Sequence, residues 1–125
     1  MKKILIIGGS GFVGSYIIKH LPVDWEKFCT FNSNPISSSN LQSFKIDLLD
    51  NPKEIVTLIQ NIKPDYIVHT VAFPSVDYCE EKPLIADKLH VNTTKIISNH
   101  RVFFTIINTW KSYSMNNIIR FSILY

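Results

Sequence analysis

Lys3-Ile4-Leu5-Ile6-Ile7-Gly8-Gly9-Ser10-Gly11-Phe12-Val13-Gly14 is the stretch whose reading decides the fold. Five residues ending in a β-branched and leucine run, cut off by glycine, suit a strand buried on both faces of a parallel sheet. From Gly11 onward Phe12, Val13, Tyr16 and Ile17 recur at helical spacing until Pro22, so a helix of about three turns follows the glycines directly. Strand, glycine turn and helix in that order place backbone amides at a helix N-terminus, where the positive end of the dipole meets an anion. Gly8 is expected to set the turn, Gly11 to admit a pyrophosphate, Gly14 to pack helix on strand, and Ser10 to donate a hydroxyl to a phosphate. A plain glycine-rich turn without a ligand is the alternative. No Gly-Lys-Ser/Thr follows, which excludes the triphosphate-binding P-loop.

Outward from this turn, strands alternate with helices. Trp25–Phe31 is a strand candidate, 32–43 is a Ser/Asn-rich surface loop, and Phe44-Lys45-Ile46 opens a third strand ending at Asp47. Asp50 or Asn51 is placed to cap a helix with Pro52 in its first turn and Ile55, Leu58, Ile59 and Ile62 on one stripe. Tyr66–Thr70 reads as a fourth strand. A loop holding Pro74 and Pro83 precedes a helix from about Leu84 to Ser98, and Val102–Ile107 is a fifth strand. This alternation implies an α/β fold with a mostly parallel sheet, since parallel neighbours need crossover helices.

Composition agrees with one domain. The 125 residues are 46% hydrophobic and 18% charged, too apolar for disorder, and no apolar run approaches the length of a membrane span. Met1-Lys2-Lys3 with the following aliphatics imitates a signal peptide, but Gly8 ends the run after four residues, so a cytoplasmic location is expected. Cys29 and Cys79 lack metal or CxxC spacing and read as reduced thiols; His20, His69, His90 and His100 show no ligand spacing, and no metal site is expected. The net charge of +3 falls entirely on Arg101, Lys111 and Arg120 in an acid-free tail, because residues 1–97 carry ten basic and ten acidic side chains. Three cations about ten residues apart are no nucleic-acid footprint.

The spacing Gly8-x-x-Gly11-x-x-Gly14 is that of extended short-chain dehydrogenases/reductases. Lys63-Pro64-Asp65-Tyr66-Ile67-Val68-His69-Thr70-Val71-Ala72-Phe73-Pro74-Ser75-Val76-Asp77-Tyr78-Cys79-Glu80-Glu81-Lys82-Pro83 resembles a diagnostic stretch of the dTDP-4-dehydrorhamnose reductases. The resemblance covers about residues 1–97 and implies a Rossmann-type doubly wound parallel sheet, truncated at about five strands, without a complete substrate lobe. It implies a 1–97 NAD(P)-binding domain followed by residues 98–125, a fifth-strand candidate and a divergent tail that does not match the family; the coincidence of this boundary with the acid-free stretch suggests that 98–125 has a different origin. The implied activity is hydride transfer from a nicotinamide cofactor to a 4-keto-6-deoxy sugar nucleotide. Gly11, Phe12 and Val13 would face the pyrophosphate. Asp47 and Leu48 would meet the adenine, with a strand-end role for Asp47 left open. Val71, Ala72 and Phe73 would line the nicotinamide-side ribose. NADP(H) is expected over NAD(H), because Cys29-Thr30-Phe31-Asn32-Ser33-Asn34 offers no acid to hold a 2′-hydroxyl and has donors for a 2′-phosphate; the direction of Lys27 stays open.

Several positions depart from the family. Thr70 and Val71 replace alanines, and His90 stands where members usually carry the Asn that steadies the active-site backbone. The catalytic Tyr-x-x-x-Lys is missing: Tyr78…Lys82 has the spacing but lies in the wrong loop, and Tyr113 and Tyr16 have Asn117 and His20 four residues on. Thr109 is the one candidate for the catalytic hydroxyl. The expectation is dinucleotide binding without turnover by this chain alone. The alternatives are a non-catalytic regulatory homologue like the methionine adenosyltransferase β subunit, and an enzyme completed by a partner chain that covers the open face.

Overall fold

The computed structural model describes residues 1–100 and the backbone of 103–106. Thr109, Tyr113 and the three tail cations lie outside the described residues. Five strands, β1 (Lys3–Ile7), β2 (Glu26–Phe31), β3 (Leu41–Lys45), β4 (Tyr66–His69) and β5 (Phe103–Ile106), form one parallel sheet in the order β3-β2-β1-β4-β5. The chain steps outward from β1 to β3, then returns to the other side of β1 for β4 and β5. This reversal of direction is the hallmark of the doubly wound fold, and open sheets of this kind take their ligands at the carboxyl ends of the strands where the direction reverses, here β1 and β4.

The side-chain period of two divides β1 between two cores. Ile4 and Ile6 pack with Ile18 of α1 (Phe12–His20) and Cys29 on one face. Leu5 and Ile7 pack on the other with Ile67 and with Ile55, Leu58, Ile59 and Ile62 of α2 (Lys53–Ile62). The apolar stripe expected on α2 is therefore the one buried. Its start differs in detail: Asn51 spends its amide on the Glu54 carboxylate, Nδ2 donating to Oε1 at 2.6 Å, instead of capping a backbone amide.

Three boundaries moved for physical reasons. Trp25 lies outside β2 because its amide closes a turn onto the Pro22 carbonyl at 3.3 Å, while its ring stacks on Tyr66, 5.2 Å between centroids, with the Lys2 ammonium over both rings. β3 begins at Leu41, inside the expected loop; as an edge strand it carries exposed Gln42 and Ser43, which hid its pattern. The loop before the expected long helix contains α3 (Val76–Glu81), capped by Ser75, whose Oγ accepts the Tyr78 amide at 3.2 Å. The long helix runs as α4 (Pro83–Asp87), a π-helical turn over Lys88–Asn92, and α5 (Thr93–Ser98).

Candidate functional site

Because all five strands run the same way, the glycine turn after β1, residues 32–34 after β2, Asp47 after β3 and residues 70–73 after β4 share one edge of the sheet. The turn is fastened to both neighbouring strands. The Gly8 amide donates to Thr30 Oγ1 at 3.2 Å and the Gly9 amide to the Thr30 carbonyl at 2.8 Å. From the other side, Thr70 Oγ1 donates to the carbonyls of Ile7 at 2.9 Å and Gly8 at 3.2 Å.

The glycines divide by role. Gly8 has φ +89°, a conformation L side chains rarely adopt, and a Cβ there would also stand 2.7 Å from Val71 Cγ2. Gly14 sits directly against the Gly8 carbonyl, so a methyl group there has no room. Gly11 is different: its φ is −73° and an added Cβ would meet only the Gly8 carbonyl oxygen, at 3.4 Å. Its open side is space a ligand could use. Among the described residues no side chain caps α1, and the amides of Phe12, Val13 and Gly14 have no intrahelical acceptor by helix geometry. Phe12 is 91% exposed, so what it brings to this edge is its amide. Ser10 is half-buried beside them.

At the end of β4, Val71 and Phe73 pack against the core, with half-buried Ala72 between them. The Phe73 amide donates to His90 Nε2 at 2.9 Å, and the Phe73 ring leans on those of Tyr78 and His90. His90 thus holds the backbone just beyond the end of β4. Its acidity is shifted: burial holds its pKa below the ordinary value, opposed by Asp87. Beneath it His69 is fully buried, neither ring nitrogen has a partner among the described residues, and burial, aided by His90, lowers its pKa to about 4.

The remaining expected residues are placed as follows. Asp47 Oδ1 accepts the amides of Leu49 at 2.9 Å and Asp50 at 3.2 Å, the turn-closing role left open for it, and the Leu48 side chain is core. Lys27 is buried with Nζ on the Leu21 carbonyl at 3.3 Å, which turns it away from the carboxyl edge. Lys82 Nζ rests 5.3 Å from the Tyr78 ring centroid, a cation over a ring face. Among the described residues no cluster of His, Cys, Asp or Glu could hold a metal, and no helix is long and apolar enough to cross a membrane. Thr30, Thr70 and Gly9 were not singled out by the motif. Gly9 lies flat on Cys29, whose Cβ would be 2.5 Å from an added methyl.

Comparison with known proteins agrees with this geometry. The chain is 32% identical over 87 residues to the dTDP-glucose 4,6-dehydratase of Salmonella typhimurium, covering 60% of this chain and 24% of that enzyme. A hypothetical dTDP-4-dehydrorhamnose reductase from Sulfolobus tokodaii superposes with a TM-score of 0.71 at 26% identity, over 85% of this chain and 38% of that one. The UDP-Glc/GlcNAc 4-epimerase of Campylobacter jejuni gives 0.69 at 27%, over 79% and 33%. The chain therefore spans between a quarter and two fifths of these relatives. The family described as RmlD substrate binding domain matches residues 1–102, and with a Rossmann-like parallel sheet beneath that match, the chain belongs to this family.

Proposed function

We propose that this chain supplies the dinucleotide-binding part of an NAD(P)-dependent sugar-nucleotide oxidoreductase, acting on a 4-keto-6-deoxy sugar nucleotide. The observation that carries the reading is the cradle at Gly8–Gly14: two glycines whose places admit no side chain, a third whose side is open, and uncapped helix amides facing the same opening. A nicotinamide dinucleotide fits that donor set, and when bound it would supply the hydride. Phe12, Val13 and Gly14 would hold the pyrophosphate through their amides, with Ser10 adding a hydroxyl. Asp47 and Leu48 would border the adenine, Leu48 through its backbone because its side chain is core. Val71, Ala72 and Phe73 would border the nicotinamide-side ribose. Exposed Asn32, Ser33 and Asn34 after β2 favour NADP(H), since they offer donors and no carboxylate to a 2′-phosphate.

Calorimetric titration with NADPH and with NADH tests this directly. Saturable binding, tighter for NADPH, is expected. A folded sample that binds neither refutes the reading. With the 4-keto sugar nucleotide added, residues 1–125 should not oxidise NADPH, since no tyrosine outside the Tyr78 loop has a lysine four positions on. Turnover that survives Tyr78→Phe and stops with Thr109→Val would show that the chain carries its own catalytic group.

A further inference from the structure

We propose that His90 is a positioning residue for the nicotinamide half of the dinucleotide: its neutral ring holds the strand-end backbone at Phe73, and protonation releases it, so that cofactor affinity falls in acid. The inference rests on the dinucleotide-binding reading above and adds to it a pH dependence set by this chain's own histidine.

The geometry sets the protonation state. For Nε2 to accept the Phe73 amide at 2.9 Å, that nitrogen must be bare and Nδ1 must carry the proton. A charged imidazole donates from both nitrogens and would present N–H to N–H, so one proton turns the bond into a repulsion. An asparagine amide at this place offers an acceptor that no physiological proton removes, and the histidine here makes the same contact conditional.

The local structure keeps the ring in place for this task. His90 lies in the π-helical turn, and the wider backbone is tied by hydroxyls one turn on: Thr94 Oγ1 donates to the His90 carbonyl at 2.6 Å, and Thr93 Oγ1 to that of Lys88 at 3.3 Å. π-helical turns of this kind are frequent at functional sites. Three elements bring titratable groups toward the ring. From β4 comes the buried His69, from α4 the exposed Asp87, and from α3 Tyr78, which reaches it through the Phe73 ring. A charge on His90 disfavours a second on His69, and His69 is the more deeply buried of the two, so His90 is the one that titrates first. Phe73 sits two residues beyond Val71, which packs on the Gly8 turn. Release at Phe73 thereby loosens the wall between the glycine cradle and the nicotinamide side.

The test uses the full 125-residue chain, labelled for NMR, with NADP+ titrated by calorimetry from pH 8 to pH 5. The Phe73 amide resonance should move in step with the His90 ring resonances. The dissociation constant for NADP+ should rise by up to about tenfold for each pH unit below the His90 pKa. His90→Asn should bind within about threefold of the parent at pH 8 and lose the slope, with rescue of acid binding; the slope difference between the two proteins cancels titration of the ligand's own phosphate. His90→Gln repeats the measurement with a longer acceptor should His90→Asn fold poorly. Saturable binding with a Phe73 amide that ignores the His90 titration, or a His90→Asn slope equal to the parent's, overturns the proposal alone. A titrating Phe73 amide in a protein that binds neither NADP+ nor NADPH at any pH overturns the dinucleotide reading, and this proposal with it.

Discussion

The glycines of the β1–α1 turn obey different constraints, and substitution separates them. Gly14→Ala drives a methyl into the Gly8 backbone and should destabilise the chain by about 2 kcal/mol or more, visible as an earlier urea midpoint. Gly11→Ala meets only an ordinary contact and should unfold within about 1 kcal/mol of the parent. It should nevertheless weaken NADPH at least tenfold, because its methyl takes the space the pyrophosphate needs; unaltered affinity would move the ligand away from this turn. The sequence alone announces the glycines, since only their spacing between strand and helix fits such a turn. It does not announce Thr30 and Thr70, because a threonine hydroxyl that ties two strand ends together looks like any β-branched strand residue.

At the scale of elements, legibility follows the strength of the periodic signal. The helix at Lys53–Ile62 was readable because four aliphatics on one stripe mark a face that packs away from water, and burial of all four agrees. Ile55, fully buried between this helix and the sheet, is its sharpest probe: Ile55→Ala should cost about 2–5 kcal/mol, measured by urea unfolding. The Ser75 cap was an available helix signal, masked by the two prolines around it. The π-helical turn was not readable, because one residue added to a helical turn leaves an apolar pattern too short to show the shift. The first half of edge strand β3, before the Phe44-Lys45 that the sequence did mark, was hidden for the opposite reason: exposed Gln42 and Ser43 remove the alternation that marks a half-buried strand.

For the whole molecule, the order β3-β2-β1-β4-β5 gathers four separate sequence segments at one edge, a convergence that the alternation of strands and helices implied and only the strand order fixes. The same burial makes the fold acid-sensitive. Well above pH 6.5 His69 is neutral whether the chain is folded or not. Between about 6.5 and about 4 the unfolded chain binds a proton that the folded chain refuses, so stability falls as pH drops through that window, by about 3 kcal/mol in total. His69→Leu should therefore flatten the difference in melting temperature between pH 7.5 and pH 5. An unchanged difference would assign the acid sensitivity to other groups.

Cys29 lies under Gly9, and burial raises its thiol pKa to about 11, whereas Cys79 is half-buried near the surface. A thiol reagent reaches Cys29 only when the packing of the glycine turn and of Ile4, Ile6 and Ile18 around it opens. The chain thus carries its own opening counter. With enough alkylating reagent that capture outpaces reclosing, Cys79 should be consumed early and Cys29 late, at the rate at which that packing opens. A molecule seated on that turn should slow the second reaction and leave the first untouched, which reports occupancy of the cradle from the side of the sheet the ligand never touches.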